Sequence, residues 1–396
     1  MKTIWRECQL GDVITLQRGF DLPERERLVG TVPIVSSSGI TGYHSLARVK
    51  APGVVTGRYG TLGEIHYVTT DYWPLNTTLF VKDFKGNHPR FVSYFLRTLN
   101  FSSQNVAGAV PGVNRNYLHL LPVRLPPLST QRRIAALLSA YDDLIENNLR
   151  RIKILEEMAQ NLYREWFVKF RFPGHQNVPF TDSPLGRIPE GWKVKALSEL
   201  VNTQYGYTAS AQEKPVGPKY LRGMDINKTT YIDWDAVPYC PIPDAQFPKY
   251  QLAEGDIVTI RMADPGKVGI VEKDVNAVFA SYLVRLSRTS NRIGPYYLFQ
   301  FLSAERYQGY ITGASTGTTR KSASAGVLTG IDILVPPESI LADFESQVQP
   351  FRRLLNNLLE RNTTIRRTRD LLLPRLISGE VDVSELDIAV PEEASA

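Results

Sequence analysis

Residues 134–166 read IAALLSAYDDLIENNLRRIKILEEMAQNLYREW, and the spacing of their apolar side chains decides the fold. Apolar positions follow one another at intervals of four and three residues, which is the heptad pattern of a helix that pairs with another helix. The seam consists of Ile134, Leu138, Tyr141, Ile145, Asn148, Ile152, Leu155, Ala159, Leu162 and Trp166. The stretch therefore predicts a long helix that needs a helical partner.

The partner is a second copy of the same pattern near the C-terminal end. VRLPPLSTQRRI, with Pro126 and Pro127, recurs as ILVPPESILADF, with Pro336 and Pro337, 210 residues later. Each helix is expected to run for about 40 residues, or about 60 Å at 1.5 Å per residue. The second seam consists of Phe344, Val348, Phe351, Leu355, Leu358, Asn362, Ile365, Arg369, Leu372 and Leu376.

The ends of the two helices can be predicted from capping residues. Ser129 and Ser339 follow the double prolines and are candidate N-caps, because a serine hydroxyl accepts a hydrogen bond from a free backbone N–H of the first turn. Pro350 lies inside the second helical segment and lacks a backbone N–H, so a kink or a late start near Phe351 is expected.

The two helices are predicted to pair antiparallel about a pseudo-twofold axis, with the globular segments at opposite ends. Asn148 and Arg369 are the polar members of the seams. A buried polar residue often fixes the register of a helix pair, and contact with a partner protein is the alternative role.

The globular segments that precede the helices also repeat. WRECQLGDV, from Trp5, recurs as WKVKALSEL, from Trp192, at an offset of 187 residues. GVVTGR, which ends at Arg58, resembles DIVTIR, which ends at Arg261, at an offset of 203. These short β-branched runs between Gly and Pro residues indicate strands. Short helices are predicted at 89–99 and 295–302.

The predicted fold class is α+β, with two mostly-β domains separated by two long antiparallel helices that form a coiled-coil spacer. The predicted boundaries are 1–127 for the first globular domain, 128–172 for the first helix, 173–337 for the second globular domain, 338–380 for the second helix and 381–396 for an acidic tail.

Composition places the chain among soluble globular proteins. Of 396 residues, 43% are hydrophobic and 22% charged, and no signal peptide or membrane-spanning run is recognisable, so a cytoplasmic location is expected. The net charge is +6, and residues 1–127 hold 14 Lys or Arg against 8 Asp or Glu. This mild excess is compatible with a polyanionic partner.

Motifs for catalysis are missing from the sequence. The two cysteines, Cys8 and Cys240, lie far apart, and the five histidines are scattered singly, so no metal site is expected. Residues 265–268, PGKV, lack the hydroxyl and the glycine spacing of a phosphate-binding loop. Asp233 and Asp244 have no lysine-bearing strand beside them. We therefore expect a binding protein without catalytic residues of its own.

Polar loops in both globular segments have the composition of DNA-reading loops, because Arg and Lys contact phosphates and guanine, and Asn, Ser and Thr contact other base edges. In the first segment the candidates are Arg18, Ser37, Tyr43, Arg58, Tyr59, Thr61, Asn76, Asn114 and Arg115. In the second segment they are Tyr205, Tyr207, Arg222, Lys228, Arg261, Lys267, Thr318, Arg320 and Lys321.

Three stretches resemble the specificity subunit of type I restriction-modification systems. They are LPPLSTQRRIAALLSAYDDLIENNLRRIKILEEMAQNLYREWFVKFRFPG at 125–174, SPLGRIPEGWKV at 183–194 and RDLLLPRLISGEV at 369–381. The resemblance implies two target recognition domains, each reading one half of a bipartite asymmetric site in double-stranded DNA. It also implies that the helix pair acts as a ruler that sets the gap between the half-sites.

The resemblance further implies partners that carry out the chemistry. Two methyltransferase subunits and two restriction or translocase subunits would supply the sites for S-adenosylmethionine, ATP and Mg²⁺, and this chain would need no cofactor. One departure is Leu341, which stands where the first copy has Gln131. Two alternatives stay open: a specificity subunit of a related methylating nuclease with other partners, and a coiled-coil adapter that reads no DNA.

Overall fold

The computed structural model of the chain describes residues 5–59, 62–99, 101, 112–290, 292–317, 321–384 and 386–390. The chain folds into two compact units. The first unit is formed by Met1–Glu146 and Thr364–Ala396, and the second by Asn147–Thr363. Each unit therefore contains a globular part and a portion of both long helices.

The first unit is built on a four-stranded antiparallel sheet in the order β2-β8-β5-β6, beside a three-stranded sheet in the order β4-β3-β7 and the antiparallel pair β1-β9. Its strands are β1 (Arg6–Gln9), β2 (Thr15–Arg18), β3 (Val32–Ser36), β4 (Gly39–His44), β5 (Gly53–Gly57), β6 (Ile65–Val68), β7 (Trp73–Pro74), β8 (Thr78–Asp83) and β9 (Pro122–Leu125). Its short helices are α1 (Leu10–Val13), α2 (Pro89–Arg97) and α3 (Arg115–His119). The first long helix is α4 (Leu128–Tyr163).

The second unit contains strands β10 (Phe180–Ser183), β11 (Gly186–Pro189), β12 (Lys193–Ala196), β13 (Val201–Tyr205), β14 (Lys219–Leu221), β15 (Ile257–Ile260), β16 (Met262–Ala263), β17 (Val268–Ile270), β18 (Ala277–Phe279), β19 (Leu283–Arg288), β20 (Lys321–Ser322) and β21 (Asp332–Val335). Its helices are α5 (Phe247–Tyr250), α6 (Pro295–Ser303), α7 (Glu305–Ala314) and α8 (Ala325–Thr329), and the second long helix is α9 (Glu338–Ser378).

The main sheets of the two units have the same topology. The order β13-β19-β15-β17 in the second unit repeats β2-β8-β5-β6 in the first. The register also agrees, because Thr56 lies opposite Leu79 and Thr259 lies opposite Val284. The pair β12-β21 likewise repeats β1-β9. The α+β class and the internal repeat predicted from the sequence are thus confirmed.

The long helices begin at Leu128 and Glu338, one residue before the serines that were predicted as their N-caps. The carbonyl oxygen of Pro127 accepts a hydrogen bond from Gln131 N at 3.0 Å, and that of Pro337 accepts one from Leu341 N at 3.2 Å. Each second proline therefore occupies the cap position, so Ser129 and Ser339 lie inside the first turn and the predicted serine caps are wrong.

Two further helix details differ from the expectation. Helix α9 runs continuously through Pro350, so the late start near Phe351 is wrong; the proline costs one backbone hydrogen bond, which the packed faces of a long helix can offset. The first helix ends at Tyr163 and continues as a π-helical turn over Arg164–Val168, short of the predicted boundary at residue 172.

Within each unit the two helices run antiparallel. In the second unit, Asn148 hydrogen-bonds Asn362 over 2.8 Å, and further along α4 the ring of Tyr163 meets Phe344, at a centroid distance of 6.3 Å. In the first unit Arg369 forms an ion pair with Asp142 at 2.5 Å. All the seam residues are buried or half-buried: Ile134, Leu138, Tyr141, Ile145, Asn148, Ile152, Leu155, Ala159, Leu162, Trp166, Phe344, Val348, Phe351, Leu355, Leu358, Asn362, Ile365, Arg369, Leu372 and Leu376.

The described part of the predicted acidic tail packs against the first unit. Val383 is 1% exposed and belongs to the core of that unit. Arg133 donates from one terminal nitrogen to the carbonyl oxygens of Val383, Ser384 and Leu386, at 3.1, 2.8 and 3.0 Å. The described residues of this tail are therefore partly structural, because Val383 is buried and Arg133 binds the backbone around it. Among the described residues, no helix combines the length and apolar character that crossing a membrane requires.

Candidate nucleic-acid interface

A cleft of about 530 Å³ in the first unit brings together five of the nine residues predicted there. Two of its walls are the ends of strands β2 and β5, and a third is the segment that leads into α3. The residues that line it are Arg18, Arg58, Tyr59, Leu79, Gly112, Val113, Asn114 and Arg115.

Backbone pairing holds the walls of this cleft together. Arg58 follows β5, and its carbonyl oxygen accepts a hydrogen bond from Val113 N at 3.0 Å. Tyr59 forms an antiparallel bridge with Gly112, whose missing side chain makes the approach possible, since a Cβ there would lie 2.5 Å from Cε1 of the tyrosine ring. Asn114 caps α3 by accepting from Asn116 N at 3.0 Å.

The guanidinium group of Arg58 is stacked on an aromatic ring. Its Cζ lies 4.6 Å from the centroid of the Tyr59 ring, and the residue is half-buried. Among the described residues it has no acidic partner. Arg18 and Arg115 beside it are exposed, so the cleft carries three positive charges that solvent or a ligand can reach.

The second unit repeats this arrangement with a different aromatic residue. Arg261 follows β15 as Arg58 follows β5, and its carbonyl oxygen accepts from Ala323 N at 2.9 Å. Its Cζ lies 4.8 Å from the ring centroid of Tyr205, the last residue of β13. Tyr205 occupies the position that Arg18 occupies at the end of β2. The two equivalent arginines are thus stacked on tyrosines from different places in the fold. Tyr59 follows Arg58 directly in the chain, whereas Tyr205 ends β13.

In both units the glycine that follows the edge strand, β2 or β13, lies very close to the backbone of another segment. A Cβ on Gly19 would lie 2.1 Å from the Leu75 carbonyl oxygen, and one on Gly206 would lie 2.2 Å from that of Ala280. Only glycine fits such a contact. The glycines that follow Arg18 and Tyr205 therefore fix where these two side chains leave the sheet.

Arg261 is held more firmly than Arg58. The hydroxyl of its stacking partner, Tyr205, accepts a hydrogen bond from Ala325 N at 3.0 Å, which anchors the ring to the start of α8. The Nε of Arg261 is buried and has no hydrogen-bond partner among the described residues, where an acidic partner is also missing. Exposed Lys321 pairs through its backbone with Ala263, two residues beyond Arg261, and adds a second cation.

Comparisons with known proteins find one recurring class of relative, the specificity subunits of type I restriction enzymes. Residues 3–157 match the family model of the type I restriction modification DNA specificity domain. The type I restriction enzyme MjaIX specificity subunit of Methanocaldococcus jannaschii is 28% identical over 345 residues, which cover 81% of this chain and 76% of the relative. The MjaVIII specificity subunit of the same organism is 27% identical over 310 residues, covering 75% and 71%.

Residues 3–157 thus match the type I restriction modification DNA specificity domain, and most of the chain is similar to type I specificity subunits. Its fold agrees with the crystal structure of the type I restriction-modification S subunit from M. genitalium, with a TM-score of 0.58 and 13% identity over 96% of this chain and 97% of that one. Arg58 therefore lies within the residues that match the DNA specificity domain, and Arg261 follows the equivalent strand of the second unit.

Three of the residues predicted to contact DNA are engaged within the fold. Arg222 donates to Asp225 from Nε at 3.1 Å and from a terminal nitrogen at 2.9 Å. Asn76 donates to Asp21. Tyr207 packs its ring against Tyr250 with centroids 5.3 Å apart. An acidic residue three positions along the chain therefore pairs with Arg222, and the contact of Arg222 with DNA stays a prediction.

Lys267 joins the second cluster, which consists of Arg261, Tyr205 and Lys321: it is exposed, and its carbonyl oxygen accepts a hydrogen bond from Ile260 N, next to Arg261, at 2.8 Å. Three other candidates lie outside both clusters: Tyr43 and Lys228 are exposed, and Ser37 is half-buried with its carbonyl oxygen 3.2 Å from Nε2 of His66. Thr61, Thr318 and Arg320 lie outside the described residues.

Arg90 and Arg97 form a second basic feature that was not predicted from the sequence. They line a cleft of about 520 Å³ in the first unit, together with His66. Both residues lie on α2, seven positions apart. This spacing places two side chains on the same face of a helix and could have been noticed in the sequence. Arg90 is partly satisfied by Asp142 at 3.4 Å, and burial lowers the pKa of Arg97.

Among the residues that the structure describes, no group of three or more His, Cys, Asp or Glu side chains could hold a metal ion. The chemistry available at the two clusters is that of hydrogen-bond donation and positive charge.

Proposed function

We propose that this chain is the DNA-reading subunit of a type I restriction-modification complex, and that its two units read the two halves of a split, asymmetric site. The observation that carries the proposal is the equivalent placement of Arg58 and Arg261, each over a tyrosine ring and without an acidic partner among the described residues. An arginine that served only the fold would be expected to have a carboxylate partner, as Arg222 has.

The rest of each cluster supplies what a duplex needs around a base-reading arginine. Exposed Arg18, Arg115, Lys267 and Lys321 can neutralise phosphates, and phosphate contacts position a protein on DNA without reading its sequence. Because the residues beside Arg58 and Arg261 differ between the units, the two half-sites are expected to differ in sequence.

Two methyltransferase subunits are proposed to dock on the long helices, one for each copy of the repeat. Asn147 and Arg151 of α4 recur as Asn357 and Arg361 of α9 at the offset of 210 residues, and all four are exposed. A surface repeated within one chain suits two copies of one partner. The restriction or translocase subunits would join the same assembly.

Catalysis is proposed to reside in those partners. S-adenosylmethionine, ATP and Mg²⁺ would bind there, and this chain would contribute only the choice of sequence. The alternative of a coiled-coil adapter predicts that substituting the cluster arginines leaves DNA binding unchanged.

The test is DNA affinity of the full chain purified with its methyltransferase subunits. Fluorescence anisotropy would compare the wild type with R58A, R261A and a variant carrying alanine at Arg58, Arg115, Arg261 and Arg320. R187A is the matched control, because Arg187 also lies over an aromatic ring, Phe180, at 5.8 Å, but belongs to the β10-β11 hairpin. Weaker binding of the cluster variants, with R187A unchanged, is expected; equal binding of all variants would favour the adapter.

A further inference from the structure

We propose that Arg58 and Arg261 each read a guanine, so that each half of the recognition site contains one guanine whose identity depends on one of these two arginines. This inference rests on the proposed function and deepens it, since it names the base that each unit recognises. Four observations on the two clusters support it.

The first observation is the support under each guanidinium. Cζ of Arg58 lies 4.6 Å from one tyrosine ring centroid and Cζ of Arg261 lies 4.8 Å from another. An arginine stacked on an aromatic face loses little further freedom when it forms hydrogen bonds in its own plane. Guanine presents two acceptors, O6 and N7, side by side in the major groove, and a planar fork matches them.

The second observation is the number of donors that are free. Nε of Arg261 is buried, which leaves the two terminal nitrogens as the donors available to a ligand. Two donors in one plane suit the paired acceptors of guanine. Adenine, by contrast, offers N7 beside a donor amino group, which would face one of the arginine N–H groups.

The third observation distinguishes these two arginines from the other cations of the clusters. Arg18, Arg115, Lys267 and Lys321 are exposed and rest on no aromatic ring in the described structure. A flexible exposed cation is suited to a phosphate, where charge matters more than orientation. Arg58 and Arg261 are half-buried, so their reach is narrow and their direction is fixed.

The fourth observation is the equivalence of the two positions. Both arginines follow the same strand of the repeated sheet, and each carbonyl oxygen accepts from the residue that precedes an N-cap, Val113 before Asn114 and Ala323 before Ser324. Because two backbone frames hold an arginine in the same place while their neighbours differ, the shared residue is expected to make a shared contact.

The experiment is a base-resolution map of methylated adenines in cells that express the full chain with its methyltransferase subunits. The variants are R58K, R261K and, as the matched control, R187K. Lysine keeps the positive charge but loses the fork, so a phosphate contact would survive the change and a two-point guanine contact would not.

We expect R58K to lower the preference for guanine at one position of one half-site by about tenfold or more, which is the discrimination of a bidentate contact. R261K should do the same in the other half-site only. The motif of R187K should equal that of the wild type.

Two outcomes would overturn the inference and leave the proposed function standing. One is a wild-type split motif in which either half-site contains no guanine, which needs no variant and so does not depend on whether the variants fold. The other is a split motif that keeps its guanines unchanged in correctly assembled R58K and R261K complexes. A wild type that produces no motif at all would overturn the proposed function and this inference together.

Discussion

Asn148 donates from Nδ2 to Oδ1 of Asn362 over 2.8 Å, in the middle of the antiparallel helix pair of the second unit. Both side chains are almost fully buried, at 3% and 0% exposed. At the equivalent positions of the repeat, 210 residues apart, stand Leu358 and Ile152, which are apolar and belong to one buried cluster. Sliding one helix along the other would separate the two amides, so this pair favours one register of the helix pair.

Replacing one asparagine of this pair should cost more than replacing both. N362L leaves the Asn148 amide buried without its partner and is expected to lower the free energy of unfolding by about 1–3 kcal/mol. The double variant N148L/N362L should recover most of that loss, because an apolar pair at this position matches its repeat equivalents. Urea unfolding of the three proteins measures the difference, and a double variant as unstable as N362L would contradict the account.

A second buried pair fastens α9 to the globular part of the second unit. Arg352 donates to Glu272 from Nε at 2.8 Å and from a terminal nitrogen at 2.6 Å, and the side chains are 2% and 6% exposed. R352M would leave the carboxylate of Glu272 buried without its cation, with the amide of Asn356 as its remaining donor, and removing one partner of a buried ion pair typically costs about 3–5 kcal/mol.

The control for R352M is the adjacent, exposed Arg353. R353M should change the free energy of unfolding by less than about 0.5 kcal/mol, as surface substitutions usually do. The double variant R352M/E272M should be more stable than R352M alone. Similar unfolding midpoints for R352M and R353M would show that the buried pair does not stabilise the unit.

Acid should weaken the first unit through His119. Its Nε2 accepts a hydrogen bond from Leu16 N at 2.9 Å, so the folded chain needs the neutral ring. Burial, and then the charges of Arg115 and Lys85, lower the pKa of His119 below its ordinary value of 6.5. The unfolded chain therefore takes up this proton first as the pH falls, and the stability present at neutral pH is lost below about pH 6.5.

The measurement is denaturant unfolding of the wild type and H119Q at pH 7.0 and pH 5.5. We expect the wild type to lose more stability than H119Q over this interval, because the variant has no ring to protonate. A larger loss in H119Q would mean that the histidine is not the titrating group.

The exposed lysines of the second unit should contribute to affinity through phosphates. Replacing Lys267 or Lys321 with alanine is expected to lower the slope of log affinity against log salt concentration by about 0.9. Each substitution should weaken binding to every DNA sequence by the same factor. K153A is the control, since Lys153 is exposed on α4 and pairs with Glu157 at 3.9 Å. Sequence-selective losses in K267A or K321A would assign them to bases instead.

The length of the helices should set the gap between the half-sites if they act as the ruler that the family resemblance implies. Arg150 and Glu360 occupy equivalent positions of the repeat. Inserting seven residues after each adds about 10 Å at 1.5 Å per residue, or about three base pairs at 3.4 Å each. The methylated motif should show a longer gap with both half-sites unchanged, and an unchanged gap would reject the ruler.

Most of what could be predicted about the fold came from the heptad spacing and the internal repeat of the sequence. The two heptad seams predicted the long helices because a sustained spacing of four and three residues is typical of a helix that packs along one face. The offset of 203 residues between Arg58 and Arg261 also predicted their equivalence, which the common sheet order then placed at corresponding strand ends. These features depend on local spacing, which a single sequence displays directly.

Long-range partners could not be read from the sequence. Glu272 lies 80 residues from Arg352, and Asp142 lies 227 residues from Arg369, so only the folded chain shows that these charges meet. The support of Arg261 by Tyr205 has the same origin, because Tyr205 ends β13 and Arg261 follows β15, far along the chain. The pairing of Arg222 with Asp225 was not predicted from the sequence either, although the two residues are only three positions apart.

The most direct test of the central claim is a base-resolution map of adenine methylation in cells that express this chain with its methyltransferase subunits, compared with cells that lack only this chain. The account predicts a split, asymmetric motif that appears only when the chain is present. Methylation that is the same in both cultures, although the methyltransferase is active and the complex assembles, would contradict the claim that this chain reads DNA.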